Sequence, residues 1–271
     1  MIFGRWVGVV MCCSAVGLVG CSTADTAHSS GGGATSATSA VAAPPSPAPT
    51  DAAGLAALLR RGVASVSSAH LTLNVSAGSQ VVIKAEGDTK LADGKLQALD
   101  LSAEPGSSGR LRIIIVDGKT YAQLPAARNQ SGKPWLLASK DSSNPTVRTL
   151  ATSIESMQSA ASADQVTTFT SAARRVTLVG TESLEGTPVA HYSIDVDVAQ
   201  LPNAHPGRQL LLNAGVTTLP IELFIDGEGR PVKFTQDLTV RGQRTSTVFT
   251  LTKYNAPVSI SAPPADQVST S

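Results

Sequence analysis

The residue whose type and setting most directly imply chemistry is Cys21, at the end of Leu18-Val19-Gly20-Cys21. Two apolar residues, a small residue and then cysteine match the bacterial lipobox, in which the thiol takes a diacylglyceryl group and the cysteine becomes N-terminal. Met1 to Gly20 supplies the context: Arg5, then an uncharged apolar run from Trp6 to Val19. A run of about 14 residues has the length of a signal-peptide core and is too short to cross a bilayer. Cys12 and Cys13 would leave with residues 1–20, so the mature chain is expected to hold one thiol, at its first residue. Thioether lipidation explains that leftover exported thiol. Two acyl chains on one residue also anchor stably, where a single chain does not.

Other reactive residue types do not assemble into a site. Asp195 and Asp197 share one face of an alternating strand and could in principle work as paired carboxylates. On a polar strand face they are expected to be solvated. His28, His70, His191 and His205 are too far apart for a zinc pattern, and the mature chain has no cysteine pair. Asp226-Gly227-Glu228-Gly229 lacks the further acids of a calcium loop and reads as a hairpin turn. A hydrolase elbow and a phosphate-cradling glycine loop are both missing. No catalytic activity, cofactor or metal is therefore expected.

Composition removes further classes. The 271 residues are 42% hydrophobic and 15% charged, and Lys+Arg 21 nearly cancels Asp+Glu 20. No basic excess is available to neutralise phosphates, so nucleic acid is not an expected partner.

The elements that must position any site start after a tether. Ser22–Thr50 is Ala, Ser, Thr, Pro and Gly apart from Asp25, His28 and Val41, and Val41 is its one large apolar residue, too little to bury a core. The expected organisation is a signal peptide at 1–20, the lipidated cysteine and flexible linker at 21–50, and one domain at 51–271 with a short disordered C-terminal tail. Thr50-Asp51 offers an N-cap, and Leu55, Leu58, Leu59 and Val63 predict a helix over 51–66.

Short strands follow. Leu71, Leu73 and Val75 alternate with polar residues, Val81–Ala85 ends at Glu86-Gly87-Asp88, and Leu99 and Leu101 flank Asp100. Leu111–Val116 turns through Asp117-Gly118 into Thr120–Leu124, a hairpin signal. This order implies an antiparallel meander. Asn144-Pro145 then opens a helix striped by Val147, Leu150, Ile154 and Met157, and a further helix over 162–172 carries Val166 and Phe169. Strands resume after Ala173. Ala190, Tyr192, Ile194, Val196 and Val198 share one face against Val189, His191, Ser193, Asp195 and Asp197. A short helix within 198–214 precedes Pro220–Ile225, Pro231–Leu238 and Thr245–Tyr254.

The apolar strand faces and helix stripes fit two interiors, a packed core or a cavity for a lipophilic ligand. Pattern alone leaves both open.

Several segments in order resemble the LppX/LprAFG family of mycobacterial lipoproteins. They are the lipobox and tether, Ser68-Ala69-His70-Leu71, Ile113–Ala122 with its Asp117-Gly118 turn, and Lys133-Pro134-Trp135. Gly180-Thr181-Glu182 with Glu185-Gly186, Pro220–Ile225, Asn255-Ala256-Pro257-Val258 and Pro263-Pro264 complete the set, which covers about 51–265. The resemblance implies an α+β fold: an antiparallel U-shaped half-barrel sheet with helices on its concave face around an apolar cavity. It also implies acylated lipids or glycolipids as ligand, carried through the envelope by a protein held on the extracytoplasmic side of the cell membrane. The longer linker and the Ser/Thr-rich stretch at 158–172 depart from the family.

Period-2 alternation with Asp100 and Arg112 outward turns Leu99, Leu101, Ile113 and Ile115 inward, beside Leu150, Ile154 and Met157. Tyr192, Ile194, Phe224 and Phe234 complete the expected lining. The anchor is testable directly. Cys21→Ala is expected to abolish both palmitate labelling and partition into the detergent phase; a variant that retains either contradicts the acylation site.

Overall fold

The structure is a computed structural model that describes residues 48–269 apart from 107–108, 126–131, 144, 146, 150, 153–167, 204, 206 and 241. Cys21 and the other expectations for residues 1–47 lie outside the described residues, as do Asn144, Leu150, Ile154, Met157 and Val166.

Asp51 caps the first helix as expected. Its Oδ1 accepts a 2.8 Å hydrogen bond from Gly54 N, satisfying one of the amides that a helix start leaves without a partner. The helix, α1, spans Ala52–Ala64 and buries Leu55, Leu58, Leu59 and Gly62. Arg60 and Arg61 stay in solvent. Gly62 is set by close approach: a Cβ there would lie 2.1 Å from the carbonyl oxygen of Gly229. Further on, Pro145 and 147–149 are helical, with Val147 buried, and 168–171 are helical, with Phe169 buried. The expected short helix resolves into a 3-10 turn at Val198–Gln200 and α2 at Arg208–Asn213.

The rest is sheet. Strands β1 to β6 are Ser68–Ala77, Gln80–Ala92, Lys95–Pro105, Leu111–Val116, Lys119–Gln123 and Trp135–Ala138. Strands β7 to β11 are Ala173–Leu184, Thr187–Asp197, Thr218–Ile225, Pro231–Val240 and Gln243–Thr252, and β12 is Val268–Ser269. They form one open sheet in the order β12-β6-β5-β4-β3-β2-β1-β11-β10-β9-β8-β7. Two meanders, β1–β6 and β7–β11, are thus fused through antiparallel β1 and β11. Asp93-Gly94, Asp117-Gly118 and Glu185-Gly186 close hairpins with positive φ at both positions, the geometry of type I′ turns.

One expectation fails here. Glu86-Gly87-Asp88 does not end a strand, because β2 continues to Ala92. Gly87 lies opposite Leu101, and a Cβ on it would sit 2.0 Å from the Asp100 carbonyl oxygen, so the glycine admits close backbone approach inside the sheet. The described residues after β11 are held to the domain. Asn255 Oδ1 accepts from Ser67 N at 2.7 Å, and Ser68 Oγ donates to Ala256 O at 2.6 Å. The chain then reaches the far edge, where β12 runs parallel to β6 and Lys133 Nζ donates to Val268 O at 3.0 Å. Ile260 and Val268 pack there with Ile114, Tyr121 and Trp135.

Gly62→Ala tests the docking of α1. Alanine raises helix propensity by up to about 1 kcal/mol, yet its methyl meets the Gly229 carbonyl. Chemical denaturation is expected to show a net loss of about 1–3 kcal/mol; equal or greater stability contradicts the close contact.

Candidate functional site

Period-2 alternation within each strand and direct pairing between strands place one apolar residue after another on a single face. Leu111 on β4 pairs with Ala103 on β3, Ala103 with Ala85 on β2, and Ala85 with Leu73 on β1. Leu73 pairs across the fusion with Phe249 on β11, Phe249 with Phe234 on β10, and Phe234 with Leu223 on β9. Leu223 pairs with Tyr192 on β8, and Tyr192 with Leu178 on β7. The row is unbroken over nine strands. Beside it, Ala122, Ile113, Leu101, Gly87, Leu71 and Leu251 form a second row from β5 to β11.

Among the described residues the face is covered unevenly. On β8–β10, Leu55, Leu58 and Leu59 of α1 pack into one cluster with Tyr192, Ile194, Ile221, Leu223 and Phe234, and Phe169 stacks on Phe234 at 5.9 Å. On β1–β5 the second cluster contains Leu71, Leu99, Leu101, Ile113 and Ile115, and every described member comes from a strand or strand end. Between the clusters Leu73, Phe234, Phe249 and Leu251 are half-buried.

Within the α1-covered half, Tyr192 is an anomaly. It is 0% exposed, and its hydroxyl has no hydrogen-bond partner among the described residues. Burial pushes its pKa up to about 12, so the hydroxyl keeps its proton.

The opposite face is polar and cross-linked. His70 Nδ1 meets Asp88 at 2.7 Å, and Arg112 grips both carboxylate oxygens of Asp100 at 2.8 and 2.7 Å. His191 lies between Glu182 at 2.6 Å and Glu222 at 2.7 Å, stacked on Phe224 at 4.1 Å. Lys233 Nζ is 5.2 Å from the centre of that Phe224 ring.

The two aspartates considered for acid–base work are each committed to an arginine. Asp195 accepts from Arg175 at 2.6 Å, and Asp197 from Arg174 at 2.9 Å. Asp197 is buried, contrary to the expected solvated state, and also accepts from Ala199 N. Burial pushes its pKa up, but the Arg174 guanidinium and the amides of Ala199 and Gln200 outweigh this and hold it below the usual range. Asp226 closes its own turn, accepting from Glu228 N and Arg230 N at 3.0 and 2.9 Å.

No protein-family model matches the chain, and no curated protein sequence does. Solved structures do. LprF from Mycobacterium bovis superposes with a TM-score of 0.50 at 14% identity, over 79% of this chain and 99% of that one. Lipoprotein LppX from Mycobacterium tuberculosis does so with a TM-score of 0.50 at 17% identity, over 77% of this chain and 99% of that one. The chain has the LppX/LprF fold.

In this LppX/LprF-like sheet Leu99 pairs with Ile115 and Leu101 with Ile113, all on the apolar face. Tyr192, Ile194 and Phe234 share that face in the other cluster. Leu150, Ile154 and Met157 are outside the described residues. Phe224 corrects the expected set: it lies on the polar face, because Ile221, Leu223 and Ile225 take the apolar side of β9 and Phe224 alternates with them. Leu71, Leu73, Phe249 and Leu251 belong to the face but were absent from that set. Their signal was the alternation in β1 and β11, which becomes a shared face only once those two strands pair.

Proposed function

We propose that the chain is a lipid-anchored protein of the cell envelope that binds acylated lipids or glycolipids along this apolar face and carries them between membranes. The observation that supports the reading is the unbroken apolar row over nine strands, with α1 covering only one end. An acyl chain in water costs about 0.8 kcal/mol per exposed methylene. A protein that lends it an apolar wall removes that barrier without any bond being made or broken, so no catalytic step is proposed. Among the described residues no helix is long and apolar enough to cross a membrane. The diacylglyceryl group on Cys21 is the proposed attachment, and residues 22–50 the tether that gives the domain reach.

A second reading, a surface lipoprotein with a filled core, draws on the α1-sealed cluster, which buries Leu55, Leu59, Ile221 and Leu223 almost completely.

One substitution separates the two. Leu99 lies in the cluster that contains no described helix, and its side chain is 8% exposed. In a filled interior Leu99→Trp overpacks and costs about 1–3 kcal/mol. Against lipid space the indole occupies the ligand's volume instead, leaving the melting temperature near that of the wild type and weakening uptake of a fluorescent fatty acid. A strongly destabilised variant, together with a wild type that takes up no fatty acid, contradicts the carrier reading.

A further inference from the structure

Tyr192 is out of keeping with its neighbours. It pairs with Leu178 and Leu223 and is packed among apolar side chains. Phenylalanine would present the same ring without the oxygen. The hydroxyl, 0% exposed and with no partner among the described residues, costs about 1–3 kcal/mol if it stays unsatisfied. Buried polar atoms in folded proteins almost always have a partner, and here no described residue supplies one, on a face otherwise suited to acyl chains.

The missing partner must present an acceptor, because a hydroxyl that keeps its proton has a hydrogen to give. It must also be largely apolar, because the cluster that holds Tyr192 is built of apolar side chains. Acylated lipids carry such a group where each chain joins the headgroup: an ester carbonyl, which accepts and does not donate. We propose that Tyr192 Oη donates a hydrogen bond to an ester carbonyl of the bound lipid, fixing the root of an acyl chain at β8 while the chain runs along the row towards Phe234, Phe249 and Leu73. This assignment rests on the lipid-binding reading above and adds the chemical class of the recognised group.

The test uses the mature chain, stripped of lipid by detergent exchange, with two probes: dioleoyl phosphatidylglycerol and its diether counterpart, which lacks the carbonyls. Wild type is expected to bind the diester about three- to tenfold more tightly, the worth of one neutral hydrogen bond. Tyr192→Phe is expected to erase that preference while the lipid-free protein melts at the same temperature or higher. Equal binding of both probes by wild type overturns the assignment, as does a preference that survives in Tyr192→Phe. A lower melting temperature for lipid-free Tyr192→Phe also overturns it, since a protein group would then already hold the hydroxyl. Wild type that binds neither probe overturns the lipid-binding reading itself.

Discussion

The antiparallel pairing of β1 with β11 is the contact on which the rest depends. It runs without a bulge from His70 opposite Thr252 to Ala77 opposite Thr245, joining strands about 180 residues apart in the chain. Because side chains alternate with a period of two, a slip of one residue would turn Phe249 and Leu251 to the polar side and bring Val248 and Thr250 to the apolar one. Each meander would keep an apolar face, but the two would no longer be continuous. Asn255 reinforces the register just beyond the last pair, holding the Ser67 amide and hydroxyl with its carbonyl oxygen and donating to Ser65 O. The same residue starts the C-terminal segment on its course to β6.

Continuity creates the functional problem that the fold answers. A sheet this wide presents more apolar surface than α1 covers, and α1 is confined to one end by the close contact of Gly62 with Gly229. The other face shows what a solvated surface looks like in this protein. Asp88, Asp100, Glu182 and Glu222 are each paired with a cation or histidine, and the apolar patch around Trp135 is closed by Ile260 and Val268. The polar side is therefore finished by the chain's own residues, whereas the apolar side carries a half-buried strip at Leu73, Phe249 and Phe234 and a buried Tyr192 hydroxyl that no described residue pairs. The proposed lipid would cover the strip and pair the hydroxyl.

Much of this was legible in local sequence and some was not. The N-cap at Asp51, the Asp117-Gly118 hairpin and the alternation of Ala190, Tyr192, Ile194 and Val196 are decided by neighbours in the chain, and the structure agrees with each. Leu99, Leu101, Ile113 and Ile115 were placed on one face because Asp100 and Arg112 alternate with them, and the pairing of Leu99 with Ile115 and Leu101 with Ile113 puts them there. Gly87 was misread because a glycine beside acidic residues looks like a turn, while its cause is the backbone of β3, supplied by a strand further along the chain. Phe224 was misplaced because apolar character stood in for parity; the outer face accommodates its ring by stacking it on His191 beneath Lys233. The fusion of β1 with β11 and the docking of β12 leave no local trace, since register between distant strands is written in neither strand alone. Tyr192 was placed on the apolar face, where the structure has it, but that no described residue pairs its hydroxyl is visible only in three dimensions.

The central claim is that the apolar face is a lipid-binding surface. Organic-solvent extraction of the purified mature protein, followed by mass spectrometry of the extract, measures this most directly. The account predicts a co-purifying acylated lipid in an amount on the order of one molecule per chain, as expected where an apolar site would otherwise face water. An extract without acyl lipid, from protein that also takes none up from added vesicles, would contradict it.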